Sequence, residues 1–126
     1  MILIIGRPNA GKTTYSAKFD KVLHLDDFPW KNDRFHNCNR AVAEADEDTV
    51  TEGIYTTRKR REEWLAVAKG RKVCIWLDTP LEECIARNSR GRSIFSMRHV
   101  EPPTYDEGWD EIIVIRGNED GDVDRR

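Results

Sequence analysis

Cysteines are scarce in this chain. It contains only Cys38, Cys74 and Cys84, an odd number whose spacing forms no pair motif. A disulfide framework is therefore not predicted, and a reducing compartment is the expected setting. His36 and Cys38 lie close together in the sequence, but the second pair of ligands that a structural zinc site requires is missing.

Long apolar runs and a signal sequence are also missing. No run approaches the roughly 20 residues of a membrane-spanning helix, and the apolar run at the start stops at Gly6. We therefore expect a soluble cytoplasmic protein without membrane contact. An excess of one charge is absent too, because 21 Lys and Arg residues are balanced by 23 Asp and Glu residues, for a net charge of −2. A nucleic-acid surface would have to be a local patch.

Linkers, internal repeats and low-complexity segments are not visible. The length of 126 residues fits one domain of ordinary size. We therefore expect a single domain over residues 1–126, and nothing in the sequence indicates an obligate protein partner.

Short apolar segments alternate with segments of helical periodicity along almost the whole chain. This alternation predicts an α/β protein in which helices cover a parallel sheet. The predicted strands are residues 1–5, 21–25, 48–53, 72–78 and 111–115, and the predicted helices are residues 12–19, 39–46, 57–69 and 80–88, with a short one over 93–99.

Two stretches are predicted to lack regular structure. Residues 26–37 contain a proline and mixed polarity, so we expect a loop. The polar end of the chain, near residues 117–126, is expected to be a frayed tail.

The segment after the first strand fits the pattern G-x-x-x-x-G-K-[ST]. Its glycines allow a tight turn and a close approach of the backbone to phosphate oxygens, toward which successive N–H groups converge. Lys12 would reach the β- and γ-phosphates, and the Thr13 hydroxyl would bind Mg²⁺. Because a strand precedes the loop and a helix follows it, the segment predicts nucleotide binding. The predicted binding residues are Gly6, Asn9, Ala10, Gly11, Lys12, Thr13 and Thr14.

Three carboxylates follow the second and third predicted strands. Asp26 and Asp27 come after the second strand, and Glu52 lies at the end of the third. Ligands of doubly wound sheets lie beyond this edge, where a carboxylate could accept the proton of an attacking hydroxyl. Glu52 could hold Mg²⁺ through water or contact the acceptor. Acidic turns and strand ends are also common without any function.

Basic residues are concentrated in the run RKRREE, residues 58–63. One interpretation is a solvated helix face supported by i to i+4 pairs such as Arg58–Glu62. The other is a surface that binds an acceptor carrying phosphates.

A second basic segment follows the fourth strand and its helix. Arg87, Arg90 and Arg92 lie beside Asn88 and Gly91, and together they predict a lid near residues 87–96. Phosphoryl transfer needs positive charge over the shifting oxygens, which an arginine of the same chain can provide. The alternative is a basic surface loop.

Four segments carry a family resemblance: the phosphate loop, LDD after the second strand, LDTPLEECIARNSRGR, and EPPTYDEGWDEI before the last strand. Together they resemble the P-loop kinase group that includes polynucleotide 5′-hydroxyl kinases, over residues 1–115. The resemblance implies a three-layer sandwich with a five-stranded parallel sheet of order 2-3-1-4-5. It also implies ATP- and Mg²⁺-dependent transfer of the γ-phosphate to a hydroxyl.

The resemblance implies residue roles as well. Asp26 matches the general base of the group, and Asp27 is the second choice. Arg87 and Arg90 match lid arginines that contact ATP phosphates, and Arg92 could substitute for either. The implied catalytic set is Asp26, Lys12, Arg87 and Arg90.

The metal and acceptor sites depart from the pattern of the group. Glu52 stands where the group commonly has an aspartate, so the implied metal ligands are Thr13 and Glu52. An arginine often follows the general base, and here Lys31 or Arg34 could serve. Trp30 could stack on a base or simply pack. The predicted substrate-binding residues are Asp26, Asp27, Trp30, Arg34 and Arg58.

The leading hypothesis is a polynucleotide 5′-hydroxyl kinase, with DNA or RNA as the expected partner. A kinase of hydroxymethyl-pyrimidine bases in DNA, which would turn the base out of the stack, is one alternative. A small-molecule kinase acting on a nucleoside or sugar is another, and the net charge of −2 mildly favours it. The last is a nucleotide-dependent switch without transfer, against which Asp26 and the basic lid argue.

Overall fold

The computed structural model describes residues 1–88 and 99–116 with their side chains and residues 123–125 as backbone. The strands form one sheet in the order β2-β3-β1-β4-β5-β6. The first five are parallel, which confirms the predicted five-stranded arrangement of order 2-3-1-4-5. The strands are β1 (Ile2–Ile5), β2 (Val22–His24), β3 (Val50–Gly53), β4 (Val73–Asp78), β5 (Glu111–Arg116) and β6 (Val123–Arg125).

The sixth strand lies in the segment where the sequence predicts a frayed tail. The backbone of β6 pairs antiparallel with β5, with Val123 opposite Ile115 and Arg125 opposite Ile113. The outer edge of β5 therefore has a hydrogen-bonding partner in this structure. The rest of the predicted tail, residues 117–122 and 126, lies outside the described residues.

Within the described residues, four helices and two 3₁₀ turns connect the strands. The helices are α1 (Lys12–Ser16), α2 (Arg34–Glu44), α3 (Arg58–Leu65) and α4 (Leu81–Ala86), and the 3₁₀ turns are Leu25–Asp27 and Tyr105–Glu107. No helix in residues 1–88 and 99–116 is long and apolar enough to cross a membrane.

The start of α2 corrects a sequence prediction. The segment predicted as a loop over residues 26–37 already contains the first turn of α2, which begins at Arg34. The Asp33 carboxylate accepts a hydrogen bond from the Phe35 N–H at 3.1 Å and so caps this end. The proline and mixed polarity of the preceding residues hid this signal.

The two faces of the sheet bury separate apolar clusters. Along β1, Leu3 and Ile5 face the cluster that α2 and α3 cover, whereas Ile4 faces the cluster covered by α1 and α4. Trp64 of α3 lies fully buried in the first cluster, where it stacks on Trp109 with ring centroids 5.6 Å apart. Burial on both faces explains why β1 reads as a continuous apolar run.

Every cysteine lies in one of these clusters without a disulfide. Burial is the main influence on Cys38 and raises the pKa of its thiol to about 11. Burial also raises the pKa of Cys74 and Cys84. Since a thiolate is the reactive form, these thiols are not suited to nucleophilic chemistry near neutral pH.

A buried ion pair between Arg61 and Glu107 joins α3 to the second 3₁₀ turn. Their side chains are 0% and 1% exposed, and the guanidinium donates twice, from Nε to Oε1 at 2.7 Å and from Nη2 to Oε2 at 2.9 Å. Arg61 also donates to the Tyr55 carbonyl, and Glu107 accepts from the Trp109 indole and the Thr104 N–H. Burial opposes ionisation of Glu107, but the bonds from Arg61 and Trp109 outweigh it and hold its pKa below the ordinary value. The bonds on both sides compensate for burying two charges.

The neighbouring arginines of α3 are paired with carboxylates as well. Arg58 contacts Glu62 at 3.3 Å and Asp106 at 2.9 Å, and Arg60 contacts Asp33 at 2.7 Å. The paired helix face, one of the two interpretations of RKRREE, is therefore the arrangement that the structure contains. These arginines link α3 to α2 and to the second 3₁₀ turn.

Replacing Glu107 with Gln should destabilise the fold strongly, because Arg61 stays buried without its counter-charge. We expect Glu107→Gln to lower the free energy of unfolding by about 3–5 kcal/mol in urea denaturation at neutral pH. The control is Glu62→Gln, whose exposed pair with Arg58 should contribute no more than about 1 kcal/mol. Equal losses in the two variants would contradict the role given to the buried pair.

The same pair predicts a response to acid. Because the pKa of folded Glu107 lies below its ordinary 4.5, its stabilising contribution is complete above that pH and is lost as the pH falls through the lower, folded value. The Tm difference between the wild type and Glu107→Gln should therefore narrow below pH 4.5. A difference that stays constant over this range would disagree with the assignment.

Candidate active site

The phosphate loop joins β1 to α1, and its backbone has the shape that its glycines predict. A Cβ on Gly6 would lie 3.0 Å from the Leu77 carbonyl oxygen and 3.1 Å from the Ala10 Cβ, so the close approach of these segments requires glycine. Gly11 and Asn9 have φ angles of 100° and 67°, in the left-handed region that these residue types tolerate best. Residues of this conformation let successive N–H groups face one concave, anion-binding space.

The loop is fastened to neighbouring elements. The Thr79 hydroxyl, just after β4, donates to the Ala10 carbonyl at 2.7 Å. The Asn9 side chain donates to the Cys84 carbonyl of α4 at 3.3 Å. These bonds hold the loop against β4 and α4.

Lys12 and Arg87 each donate a hydrogen bond to a backbone carbonyl of the loop. Lys12 is 8% exposed, and its ammonium donates to the Arg7 carbonyl at 2.7 Å. Arg87 follows α4, and its Nη1 donates to the Asn9 carbonyl at 3.3 Å. The same atom lies 3.8 Å from the point that a Cβ on Gly11 would occupy. The structure thus brings Arg87, a predicted lid arginine, to the predicted phosphate loop.

The predicted metal ligands lie on α1 and on β3. Thr13 and Thr14 are exposed in the first turn of α1. Glu52 is on β3, opposite Ile4 of β1, and its side chain is only 4% exposed. Because residues in register on parallel strands project to the same face, Glu52 lies on the face that α1 covers. A hydroxyl and a carboxylate are oxygen ligands of the kind Mg²⁺ prefers.

The Asp26 and Asp27 pair occupies the 3₁₀ turn after β2, fixed by the buried Leu25. The Asp26 side chain is 52% exposed, and the Arg34 guanidinium lies 3.3 Å from its Oδ1. Asp27 is also exposed. Two strand spacings separate β2 from β1, so this turn is offset from the phosphate loop by about 10 Å across the sheet. This separation leaves room for a terminal phosphate and an acceptor hydroxyl between them.

An exposed aromatic ring lies next to this turn. Trp30 is 65% exposed, and the Arg34 guanidinium covers one face of the ring at 4.2 Å from its centroid. Arg34 therefore contacts both Trp30 and Asp26, so three of the predicted substrate-binding residues form one contiguous group. Arg58 makes its ion pairs with Glu62 and Asp106 instead.

Two further predicted residues fall outside the described part of the chain. Arg90 and Arg92, with most of the lid predicted near residues 87–96 and the short helix over 93–99, belong to a stretch of which only Arg87, Asn88 and His99 are described. Their assignments stay predictions.

Sequence reasoning missed one residue at this edge, His24. Its Nδ1 lies 2.7 Å from Oε1 of Glu52, to which it is opposite in register. The available signal was its position at the end of a short strand, two residues before Asp26. No pattern linked it to Glu52, because the pairing of β2 with β3 is not local in sequence.

Comparison with known proteins identifies the fold. No protein-family model and no curated protein matches the chain. The chain is similar to the unliganded crystal structure of a sugar kinase from Janibacter sp. HTCC2649, with a TM-score of 0.64, 17% identity and coverage of 91% of this chain and 83% of that one. It is also similar to a gluconokinase from Sinorhizobium meliloti 1021, with a TM-score of 0.64, 14% identity and coverage of 94% and 82%. The predicted P-loop kinase fold is confirmed.

The comparisons also correct a prediction. Nucleic acid was the expected partner, but the structures that share the fold are named as a sugar kinase and a gluconokinase. Neither supports the polynucleotide kinase subgroup. The physical reason lies in α3, where the arginines that would have bound phosphates are paired with carboxylates. The three arginines of the basic run are thus paired with carboxylates, and each has at least one partner that is distant in sequence.

The position of Arg87 predicts a role in nucleotide affinity. Arg87→Gln should weaken ATP binding about 10-fold, which is the order expected for one charge-assisted hydrogen bond. Titration calorimetry would measure the dissociation constant. The control is Arg71→Gln. It also removes one positive charge, but from an exposed pair with Glu111 at the amino ends of β4 and β5. An equal change in both variants would indicate only long-range electrostatics.

Proposed function

We propose that this protein is an ATP-dependent kinase that transfers the γ-phosphate to a hydroxyl of a small, sugar-like molecule. The observation that carries the proposal is the arrangement at one edge of the sheet. The phosphate loop with Lys12 follows β1, and Arg87 contacts this loop from the end of α4. The buried carboxylate of Glu52 lies on β3, and Asp26 follows β2. In P-loop kinases these are the positions from which a protein binds the donor, the metal and the acceptor.

The residues present fit ATP and Mg²⁺. Gly11 has no Cβ to project toward Arg87, and a Cβ built there would lie 3.8 Å from the Arg87 guanidinium. Lys12 and Arg87 supply two positive charges for a polyanionic phosphate chain. Thr13 and Glu52 supply hard oxygen ligands for a divalent cation, directly or through water. When bound, the Mg²⁺ nucleotide supplies the γ-phosphoryl group and neutralises part of its charge.

The proposed mechanism assigns one task to each side chain. A carboxylate oxygen of Asp26 accepts the proton of the acceptor hydroxyl. The same contact orients the hydroxyl oxygen for attack on the γ-phosphate. Lys12 and Arg87 stabilise the charge that accumulates on the phosphate oxygens during transfer. Arg90 and Arg92, on a lid near residues 87–96, are proposed to add positive charge and exclude water on closure. These parts belong to one kinase domain over residues 1–126.

A sugar-like acceptor is supported by the group of residues around Asp26. Aromatic rings present a negative face, to which the weakly positive C–H groups of a sugar are attracted. Trp30 offers such a ring at 65% exposure, beside the proposed base. Arg34 donates hydrogen bonds suited to hydroxyls or to the carboxylate of a sugar acid. The names of the two similar structures, a sugar kinase and a gluconokinase, support the same class.

The direct test is transfer of labelled phosphate. The protein is incubated with γ-labelled ATP, Mg²⁺ and separate panels of sugars, sugar acids and nucleosides. We expect label on a sugar or a sugar acid. Label on nucleosides alone would contradict the sugar-like acceptor, and tight nucleotide binding without label on any compound would indicate a switch instead of a kinase.

Asp26→Asn tests the proposed base. Asparagine keeps the shape of the side chain but cannot accept the proton, so kcat should fall by about 10²–10⁴-fold while ATP affinity changes little. The control is Asp48→Asn, which alters an exposed ion pair with Lys21 at the other edge of the sheet. A kcat near the wild-type value in Asp26→Asn would move the base to Asp27, which Asp27→Asn then tests.

Trp30→Ala tests the acceptor surface. Loss of the ring should raise the KM for the acceptor about 2- to 10-fold, the range expected for aromatic packing, and leave the affinity for ATP unchanged. Trp30→Phe keeps an aromatic face and should retain most of the acceptor affinity. An unchanged KM in Trp30→Ala would remove this residue from the site.

A further inference from the structure

A buried carboxylate on β3 has one partner that the proposed mechanism does not use. Glu52 is 4% exposed at its side chain, and Nδ1 of His24 lies 2.7 Å from its Oε1. A buried carboxylate is costly unless its charge is compensated by hydrogen bonds or a counter-charge. The His24 contact is therefore an energetically important part of the environment of Glu52.

The topology fixes this contact. His24 ends β2, and the parallel pairing of β2 with β3 puts it in register with Glu52, which is in turn in register with Ile4 of β1. Residues in register project to the same face, and Ile4 belongs to the cluster under α1. The His24 and Glu52 side chains therefore lie on the α1 face, and α1 carries Thr13 in its first turn.

We infer that His24 is a positioning residue for the metal that accompanies the nucleotide. With Nδ1 protonated, His24 donates to Oε1 and fixes the rotation of the Glu52 carboxylate. Oε2 is then the oxygen presented to a metal-bound water. The inference rests on the proposed nucleotide site. It gives a role to His24, which has no task in the proposed mechanism.

The geometry of the donor selects the variants. The substitution His24→Asn would place an amide N–H where Nδ1 lies now, whereas His24→Leu keeps a similar volume and removes the donor. Hydrogen-bonding partners of metal-binding groups typically contribute about 10- to 100-fold to metal affinity. Loss of the donor should therefore act on the metal-dependent part of nucleotide binding alone.

The experiment measures binding, so it does not depend on catalysis. The dissociation constant of the β,γ-imido analogue of ATP is determined by calorimetry with Mg²⁺ and with excess chelator, and the ratio of the two values is the metal-dependent gain. We expect His24→Leu to reduce this gain about 10- to 100-fold and His24→Asn to retain most of it. The affinity measured with chelator should be the same in all three proteins. His36→Asn, which alters an exposed histidine of α2, is the control for loss of an imidazole.

Two outcomes would overturn the inference. An unchanged gain in folded His24→Leu would make the His24–Glu52 contact purely structural, with the kinase proposal intact. Absence of any metal-dependent gain in a wild type that still binds the analogue would also overturn the inference, whereas absence of binding under both conditions would overturn the proposed nucleotide site as well. Should His24→Leu not fold, His24→Gln replaces it, because its amide lies one atom further from the backbone. If the metal-dependent gain in affinity were then equal in His24→Gln and His24→Asn, the result would contradict the inference.

Discussion

The buried ion pair of Arg61 with Glu107 is the constraint on which the α3 side of the molecule depends. It connects α3 to the second 3₁₀ turn across 46 positions of sequence. Glu107 also accepts the Trp109 N–H, and that ring stacks on Trp64 in the core under α2 and α3. Arg61 also donates to the carbonyl of Tyr55, which lies two residues after the end of β3, so this bond fixes the backbone there. The segment that follows β3 is therefore held by the same arginine that forms the buried ion pair.

The site edge is electrically divided. Lys12 lies at the end of the phosphate loop and Arg87 contacts that loop from α4, whereas Glu52 lies on β3 and Asp26 follows β2. A polyanionic donor matches the first group, and an acceptor that must lose a proton matches the second. A polyanionic acceptor would meet carboxylates and already paired arginines on that side. This division agrees with a small hydroxylated acceptor and disfavours a nucleic-acid strand.

Much of the fold followed from local sequence signals. The apolar run of β1 and the alternation of strands and helices predicted the sheet, and the glycine pattern predicted the turn between β1 and α1, because each of these signals lies within about a dozen residues. The start of α2 was hidden because Asp33 acts as a cap only once Arg34 and Phe35 are helical. The meaning of RKRREE was open for a different reason. Its arginines are neutralised by Asp33, Asp106 and Glu107, and only the tertiary fold brings these carboxylates to α3. His24 was overlooked for the same reason, since its contact exists only through the pairing of β2 with β3.

The lysine of the phosphate loop is already desolvated and held before any phosphate arrives. Its ammonium is hydrogen-bonded to the Arg7 carbonyl, and the side chain is 8% exposed. A phosphate oxygen therefore competes with protein groups that include the Arg7 carbonyl, and not with a full hydration shell. Part of the rotamer entropy that a long side chain loses on binding has also been lost during folding. Selectivity for an anion over a neutral ligand is thus built into the folded loop, since only a charged oxygen gives the ammonium a stronger partner than the carbonyl it leaves.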